Sequence, residues 1–367
     1  MANVRLQSIT KYFGMLQALN QVSFSIDDGE FFVLLGPSGA GKTTTLRVIA
    51  GLERQDSGSV LFDDQPVDRL APPLRDVAFV FQQYSLYPTM SVYDNLAFPL
   101  RAPLRRIPES EIKARVTYVA EILRISHLLD RKTARLSGGE MQRVSIGRAI
   151  VRNPRIFLMD EPLSNLDFKL REALRVELKH LQKTQNSTIL FVTHDQIEAL
   201  TMADRIAVLS QGRIVQIGTP NEIYDHPATI FVAQLVGTPR INLLPASCVN
   251  GCIHVDGSLI SLPVDVTGGM LLPTRFYVGL RPEDVQPVPD GPFAGEVILI
   301  EPLGVETVIH IKSVEQTIVS TVPGMTLLRR GDIVRFTLAR ERLHMFGEDG
   351  KRIVAGHDGP QAVNRGG

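Results

Sequence analysis

The chain is poor in cysteine: Cys248 and Cys252 are the only two in 367 residues. A disulfide scaffold is excluded, which suits a reducing compartment. There is no excess of either charge, with Lys+Arg and Asp+Glu at 39 each. Binding driven by phosphate neutralisation along a nucleic acid needs a basic surplus, so no nucleic-acid partner is expected. Mean hydropathy is only +0.06, and no apolar run approaches the roughly 18–20 residues of a membrane span. Met1 to Lys11 lacks the apolar core of a signal peptide. A soluble protein that stays in the cytosol is therefore expected, long enough for two domains.

What is present centres on Gly36-Pro37-Ser38-Gly39-Ala40-Gly41-Lys42-Thr43. It fits the phosphate-loop pattern G-x-x-x-x-G-K-[ST] at every fixed position. Phe31 to Leu35 before it is an unbroken apolar run, which reads as a strand buried on both faces. Thr44 to Ala50 after it can continue as a helix, with Gly51 as its stop. Strand, glycine loop and helix together aim backbone N–H groups at a phosphate chain. Lys42 would reach the outer phosphates and the Thr43 hydroxyl a Mg²⁺ ion.

Other segments are placed by pattern. Residues 3–9 and 22–26 alternate as half-buried strands do, and between them lies Lys11-Tyr12-Phe13-Gly14, where an aromatic could stack on a base or fill a hairpin core. Asp76 to Phe81 reads as a strand ending at Gln82, where open α/β sheets bind ligands. The aromatic stretch Tyr84 to Pro88 suits a partner surface. Pro108 is expected at the first position of a helix whose core face is Ile112, Val116, Val119, Ala120 and Leu123. Ser137 is a good N-cap, and Gly138-Gly139 expose N–H groups at a helix start, either a second anion site or a plain cap. The buried run Ile156 to Met159 ends in Asp160-Glu161. There one carboxylate suits Mg²⁺ and the next could deprotonate a water. Ser164 to Asp167 is a polar turn before a helix with the face Leu170, Leu174, Leu178, Leu181. Thr188 to Val192 is a further strand, and His194 beyond it is either structural or a phosphate contact. A hairpin turning at Ser210-Gln211-Gly212 and helical segments over most of 220–236 follow.

The order of these motifs resembles the nucleotide-binding subunits of ABC transporters, over residues 3–235. Leu136-Ser137-Gly138-Gly139-Glu140 is the specific element, although Glu140-Met141 replaces the more usual Gln-Arg. The resemblance implies a phosphate-loop ABC ATPase domain of α/β class with a helical subdomain. It makes Tyr12 the adenine-stacking residue, Gln82 the Q-loop, Asp160-Glu161 the Walker B end, Asp167 the D-loop and His194 the switch histidine. ATP would lie on Tyr12, Gly36–Thr44, Ser137, Gly138, Gly139 and Asp167, and Mg²⁺ on Thr43, Gln82 and Asp160. Glu161, His194, Gln82 and Lys42 would be catalytic. Within the family, Phe81 to Pro88, Leu163 to Asp167 and Gly279 to Asp284 resemble carbohydrate importer ATPases of maltose, trehalose and glycerol-phosphate type.

Near Gly237 the composition changes to short β-rich runs, including Phe276–Leu280, Glu296–Ile300, Thr307–Ile311, Thr317–Val322, Ile333–Leu338 and Leu343–Phe346. A small OB-like barrel is expected, and the resemblance implies a TOBE-like regulatory domain. The expected boundaries are 1–236, 237–355 and a flexible tail at 356–367. Cys248, Cys252 and His254 are too few ligands for a closed zinc site. The expected function is a homodimeric ATPase at the cytoplasmic face of the inner membrane. Two permease subunits would dock near Gln82 to Pro88, fed by an extracytoplasmic solute-binding protein. An importer of polyamine, metal or sulfate has the same architecture. A soluble ABC ATPase fits less well, since Lys42 to Ser137 carries no heptad array and there is one cassette only.

Overall fold

The computed structural model describes residues 2–102, 107–164, 166–264 and 272–354. Asn165 and the expected tail at 356–367 lie outside the described residues. The chain divides into two compact units, Met1–Asn221 and Glu222–Gly367.

The first unit is built on a six-stranded sheet. Its order is Arg213–Gly218, Arg205–Ser210, Phe31–Leu35, Ile189–Thr193, Ile156–Asp160, Val77–Val80. All neighbours are parallel except the first pair, which is the expected hairpin. The three central strands are buried at every residue, as continuous apolar runs covered on both faces must be. Because these strands are parallel, their C-terminal ends share one edge, and ligands bind outside that edge. Register makes the alignment close: Leu35 lies opposite Thr193, and Asp160 opposite Val192.

A second, antiparallel sheet runs Leu16–Ile26, Val4–Phe13, Ser57–Phe62, Gln65–Pro66. The helix Lys42–Ala50 buries Leu46, Val48 and Ile49 in the same core as Leu6 and Phe24 of this sheet and Phe32, Leu34 and Leu158 of the large one. Each such side chain contributes about 1.5–3 kcal/mol on burial, so the loop before the helix is held by a packed core. Phe24 stacks on Phe32 with centroids 5.1 Å apart.

The helical part comprises Val92–Ala97, Glu109–Ile122 and Gly138–Ile150. The expected face of Ile112, Val116, Val119, Ala120 and Leu123 is buried throughout. Pro108 is corrected by one place: it is the N-cap, at φ −63° and ψ 145°, and the helix begins at Glu109. Extended ψ there releases the carbonyl to the helix while proline, lacking an N–H, gives up nothing.

The second unit is all-β apart from short helices. One sheet orders Ser261–Pro263, Cys252–Val255, Asn242–Val249, Arg275–Leu280, His344–Phe346; the other orders Val285–Pro287, Ile333–Leu338, Phe293–Pro302, Glu306–Ser313, Gln316–Pro323. Every pair is antiparallel, and both sheets face one core containing Leu244, Phe276, Ile309, Ile318 and Phe336. The result is barrel-like, and all six β-rich runs read from the sequence are strands in it. The helix Ile230–Leu235 belongs with this unit. Arg281 is nearly fully buried, and its guanidinium donates to the carbonyls of Ala233 at 3.0 Å, Tyr224 at 2.9 Å and Val236. The composition change near Gly237 marks where strands begin, whereas contacts part near Asn221. Cys248 pairs in register with Ile253 and Cys252 with Val249, so both cysteines are free and face opposite sides of their hairpin.

Candidate active site

The phosphate loop leaves the strand Phe31–Leu35 at its C-terminal end and turns sharply into Lys42–Ala50. Gly39 and Gly41 take φ of 76° and 106°, which a side chain disfavours. Beside Gly41 a Cβ would also strike the Ala18 carbonyl at 2.6 Å, whereas at Gly39 it would meet open space. The loop is pinned from behind, since Gly212 N–H donates to the Ala40 carbonyl at 3.0 Å. The first N–H groups of the helix have no partner within it and point past the loop. Lys42 is buried to 5 % exposure; its Nζ donates to the Gly36 and Pro37 carbonyls at 2.9 and 3.0 Å and lies 3.4 Å from Glu161 Oε1.

Two further strands bring the acidic groups to this point. Thr43 Oγ1 donates to Asp160 Oδ1 at 3.0 Å. Burial raises the Asp160 carboxyl above the usual carboxylate range; the Thr43 hydrogen bond opposes this, and the Glu161 charge adds to it. Glu161 has φ 44° and its N–H donates to the Val192 carbonyl at 3.0 Å, which turns it out of the strand direction. Its Oε2 lies 3.0 Å from His194 Nδ1 on the next strand end. Lys42, Thr43, Asp160, Glu161 and His194 thus form one connected group.

A cavity of about 620 Å³ opens over this group. It is lined by Ser38, Gly39, Gly41, Lys42, Thr43 and Thr44, by Gln82 and Glu161, and on the far side by Phe13, Leu16, Gln17, Gln211 and Gly212. Tyr12 is 46 % exposed, so it fills no core, yet the aromatic on the cavity wall is its neighbour Phe13. Lys11 Nζ sits 5.1 Å from the Phe13 ring centroid. The two aromatics stand side by side in the sequence, and the strand geometry puts Phe13 on the cavity wall. Gln211 and Gly212 were legible only as a hairpin turn.

Ser137, Gly138, Gly139 and Asp167 are absent from the cavity lining. Ser137 caps Gly138–Ile150 with a reciprocal capping box: its N–H donates to Glu140 Oε2 at 2.7 Å and its hydroxyl accepts from Glu140 N–H. That backbone bond holds the Glu140 carboxyl below the usual range. Asp167 likewise caps Phe168–Gln185 through Leu170 N–H at 3.0 Å. The segment after Gln82 is fixed by Asn95, whose side chain bonds both backbone groups of Tyr87 at 2.9 and 3.1 Å. Arg148 donates to the Ser85 carbonyl at 2.8 Å. A cleft of about 340 Å³ there is lined by Phe81, Ser85, Tyr87, Phe98 and Arg148. A larger cleft, about 700 Å³, runs along Phe168–Gln185 and carries none of these groups.

Comparison with known proteins agrees with this geometry. A family model described as ABC transporter matches residues 19–164, and one described as TOBE domain matches residues 278–346. An sn-glycerol-3-phosphate import ATP-binding protein, UgpC, of Psychromonas ingrahamii is 46 % identical over 364 residues, covering 96 % of each chain. The chain belongs to the ABC transporter family. A trehalose/maltose import ATP-binding protein, MalK, of Thermococcus litoralis is 45 % identical, covering 94 % of this chain and 98 % of its own. Among solved structures, a dimeric ATP-binding cassette in a post-hydrolysis state, bound to ADP and Pi, superposes with a TM-score of 0.55 at 32 % identity. It covers 59 % of this chain and 98 % of its own.

As a member of the ABC transporter family, this chain is an ATP-binding and ATP-hydrolysing subunit. The expected ABC ATPase fold and the barrel-like TOBE domain are both present. Among the described residues no helix is long and apolar enough to cross a membrane.

Proposed function

We propose that this ATPase energises an importer of a small carbohydrate, polyol or glycerol phosphate. The observation that carries the cargo class is end-to-end likeness to proteins named for sn-glycerol-3-phosphate and trehalose/maltose import. ATP would lie with its base against Phe13 and its phosphates over Ser38 to Thr44. Lys42 would exchange its bonds to Gly36, Pro37 and Glu161 for the outer phosphates.

The donors at Thr43 and Asp160 fit Mg²⁺. A hydroxyl and a carboxylate converge within 3.0 Å, both are hard oxygen ligands, and a cation would relieve the destabilised Asp160 charge. Gln82 would add an amide oxygen from the cavity wall. Thr43 and Asp160 would hold the ion, and its positive charge would offset charge that develops on the phosphates in transfer. Glu161 would orient a water and accept its proton, with His194 holding the carboxylate in place.

Ser137, Gly138, Gly139 and Asp167 lie off this cavity, which supports a two-fold dimer in which each copy covers the phosphates of the other. The regulatory β-domain, residues 237–355, would help to pair the copies. Two permease subunits would dock in the cleft near Gln82 to Pro88 at the cytoplasmic face of the membrane, fed by an extracytoplasmic solute-binding protein.

The test is labelled-solute uptake in cells lacking the chain, rescued by wild type or Lys42→Ala. Loss of uptake for glycerol phosphate or a disaccharide, restored only by wild type, is expected. Loss confined to a polyamine would overturn the cargo class and leave the ATPase standing.

A further inference from the structure

We infer that Arg171 is a positioning residue that fixes His194 against Glu161 and makes their pairing depend on the turn Glu161–Ser164. The inference rests on the roles proposed above for Glu161 and His194.

Arg171 stands one turn into Phe168–Gln185, and its guanidinium faces two ways. Nη1 donates to Asp195 Oδ2 at 3.2 Å. Nη2 donates to the Leu166 carbonyl at 3.2 Å and reaches the Ser164 carbonyl at 3.5 Å. Each contact continues into the site. Asp195 follows His194 directly and caps the next helix, its Oδ1 accepting from Ile197 and Glu198 N–H at 2.7 and 3.3 Å. Thr193, just before His194, accepts from Asp195 N–H at 2.9 Å and donates to the buried Glu198 at 2.6 Å. The histidine is therefore gripped on both sides. On the other branch, the Ser164 N–H and hydroxyl both donate to the Glu161 carbonyl, at 3.3 and 2.9 Å.

These links close a ring: Glu161 backbone, Ser164, Arg171, Asp195, His194, and back to the Glu161 carboxylate at 3.0 Å. Arg171 joins the carbonyls of Ser164 and Leu166 to Asp195, while the Glu161 carboxylate closes the other side of the ring on His194. A planar fork bonds carbonyls on one edge and a carboxylate on another, which a lysine ammonium cannot do from one position. A shift of the turn is thereby passed to His194 through a single stiff group. Glu198 lies 4.0 Å from Arg171 Nε and adds a second acid to the anchor.

ATP turnover of the full chain tests this in a double-mutant cycle with His194→Ala. Arg171→Met is expected to lower kcat about 10- to 100-fold with KM for ATP within about twofold, since small misplacements act on the chemical step. In the His194→Ala background the same change should cost less than about twofold, because the path runs through the histidine. Arg171→Lys should keep the wild-type melting temperature and KM while kcat stays low. If Arg171→Met does not fold, Asp195→Asn breaks the same link while keeping a helix cap. Effects of Arg171 and His194 that multiply, or an unchanged kcat in Arg171→Met, would overturn the inference alone. A wild-type kcat in His194→Ala would overturn the site reading beneath it.

Discussion

Lys42 Nζ lies 3.4 Å from Glu161 Oε1, joining the phosphate loop to the end of a strand two places away in the sheet. The same carboxylate touches His194 through its other oxygen. Phosphate entering the loop would compete with Glu161 for the lysine and leave the carboxylate to His194 and water.

Glu161→Gln keeps the shape of this arrangement and removes the proposed base. It should bind ATP but turn it over about 10²- to 10⁴-fold more slowly, the usual contribution of a positioned base. Size-exclusion chromatography with ATP should then show a persistent dimer. Undiminished turnover would remove Glu161 from the mechanism.

Phe13 and Tyr12 give opposite expectations. Phe13→Ala should raise KM for ATP by about 5- to 100-fold, equivalent to the ~1–3 kcal/mol of a lost base stack, with kcat little changed. Tyr12→Ala should leave KM nearly unaltered. The reverse result would return the stacking role to Tyr12.

Glu140 holds the Ser137 N–H and hydroxyl that a phosphate would also take. Glu140→Ala should cost about 0.5–2 kcal/mol of stability through the lost cap, visible as a lower melting temperature. If the proposed dimer reading holds, freeing these donors should also lower KM for ATP; a raised KM would show that the cap itself presents the site.

Asp284 supplies a pH-dependent stability term in the second unit. Burial pushes its carboxyl up to about 6 from 3.8, with Arg342 opposing at 3.2 Å. A raised acid binds its proton more tightly when folded, so its cost is full above about 6 and vanishes below about 3.8. Asp284→Asn should melt higher than wild type at pH 8, by on the order of 1–3 kcal/mol, with the gap closing towards pH 4. A lower melting point at pH 8 would mean the Arg342 ion pair outweighs burial.

By itself the sequence determined the chemistry and the class of fold. The loop Gly36–Thr43, the Asp160-Glu161 pair and the cap at Ser137 are contiguous, and each needs only local spacing to be recognised. Continuous apolar runs likewise announced the buried parallel strands. What tertiary structure decided was adjacency and facing. Strand order put His194 and Lys42 each beside Glu161, because parallel strands bring their C-terminal ends to one edge whatever their distance in the chain. The path of one strand put Phe13 on the cavity wall. Packing likewise set the partners of Arg171 and Arg281, whose guanidinium groups donate to carbonyls brought to them by the fold, since such partners leave no local pattern.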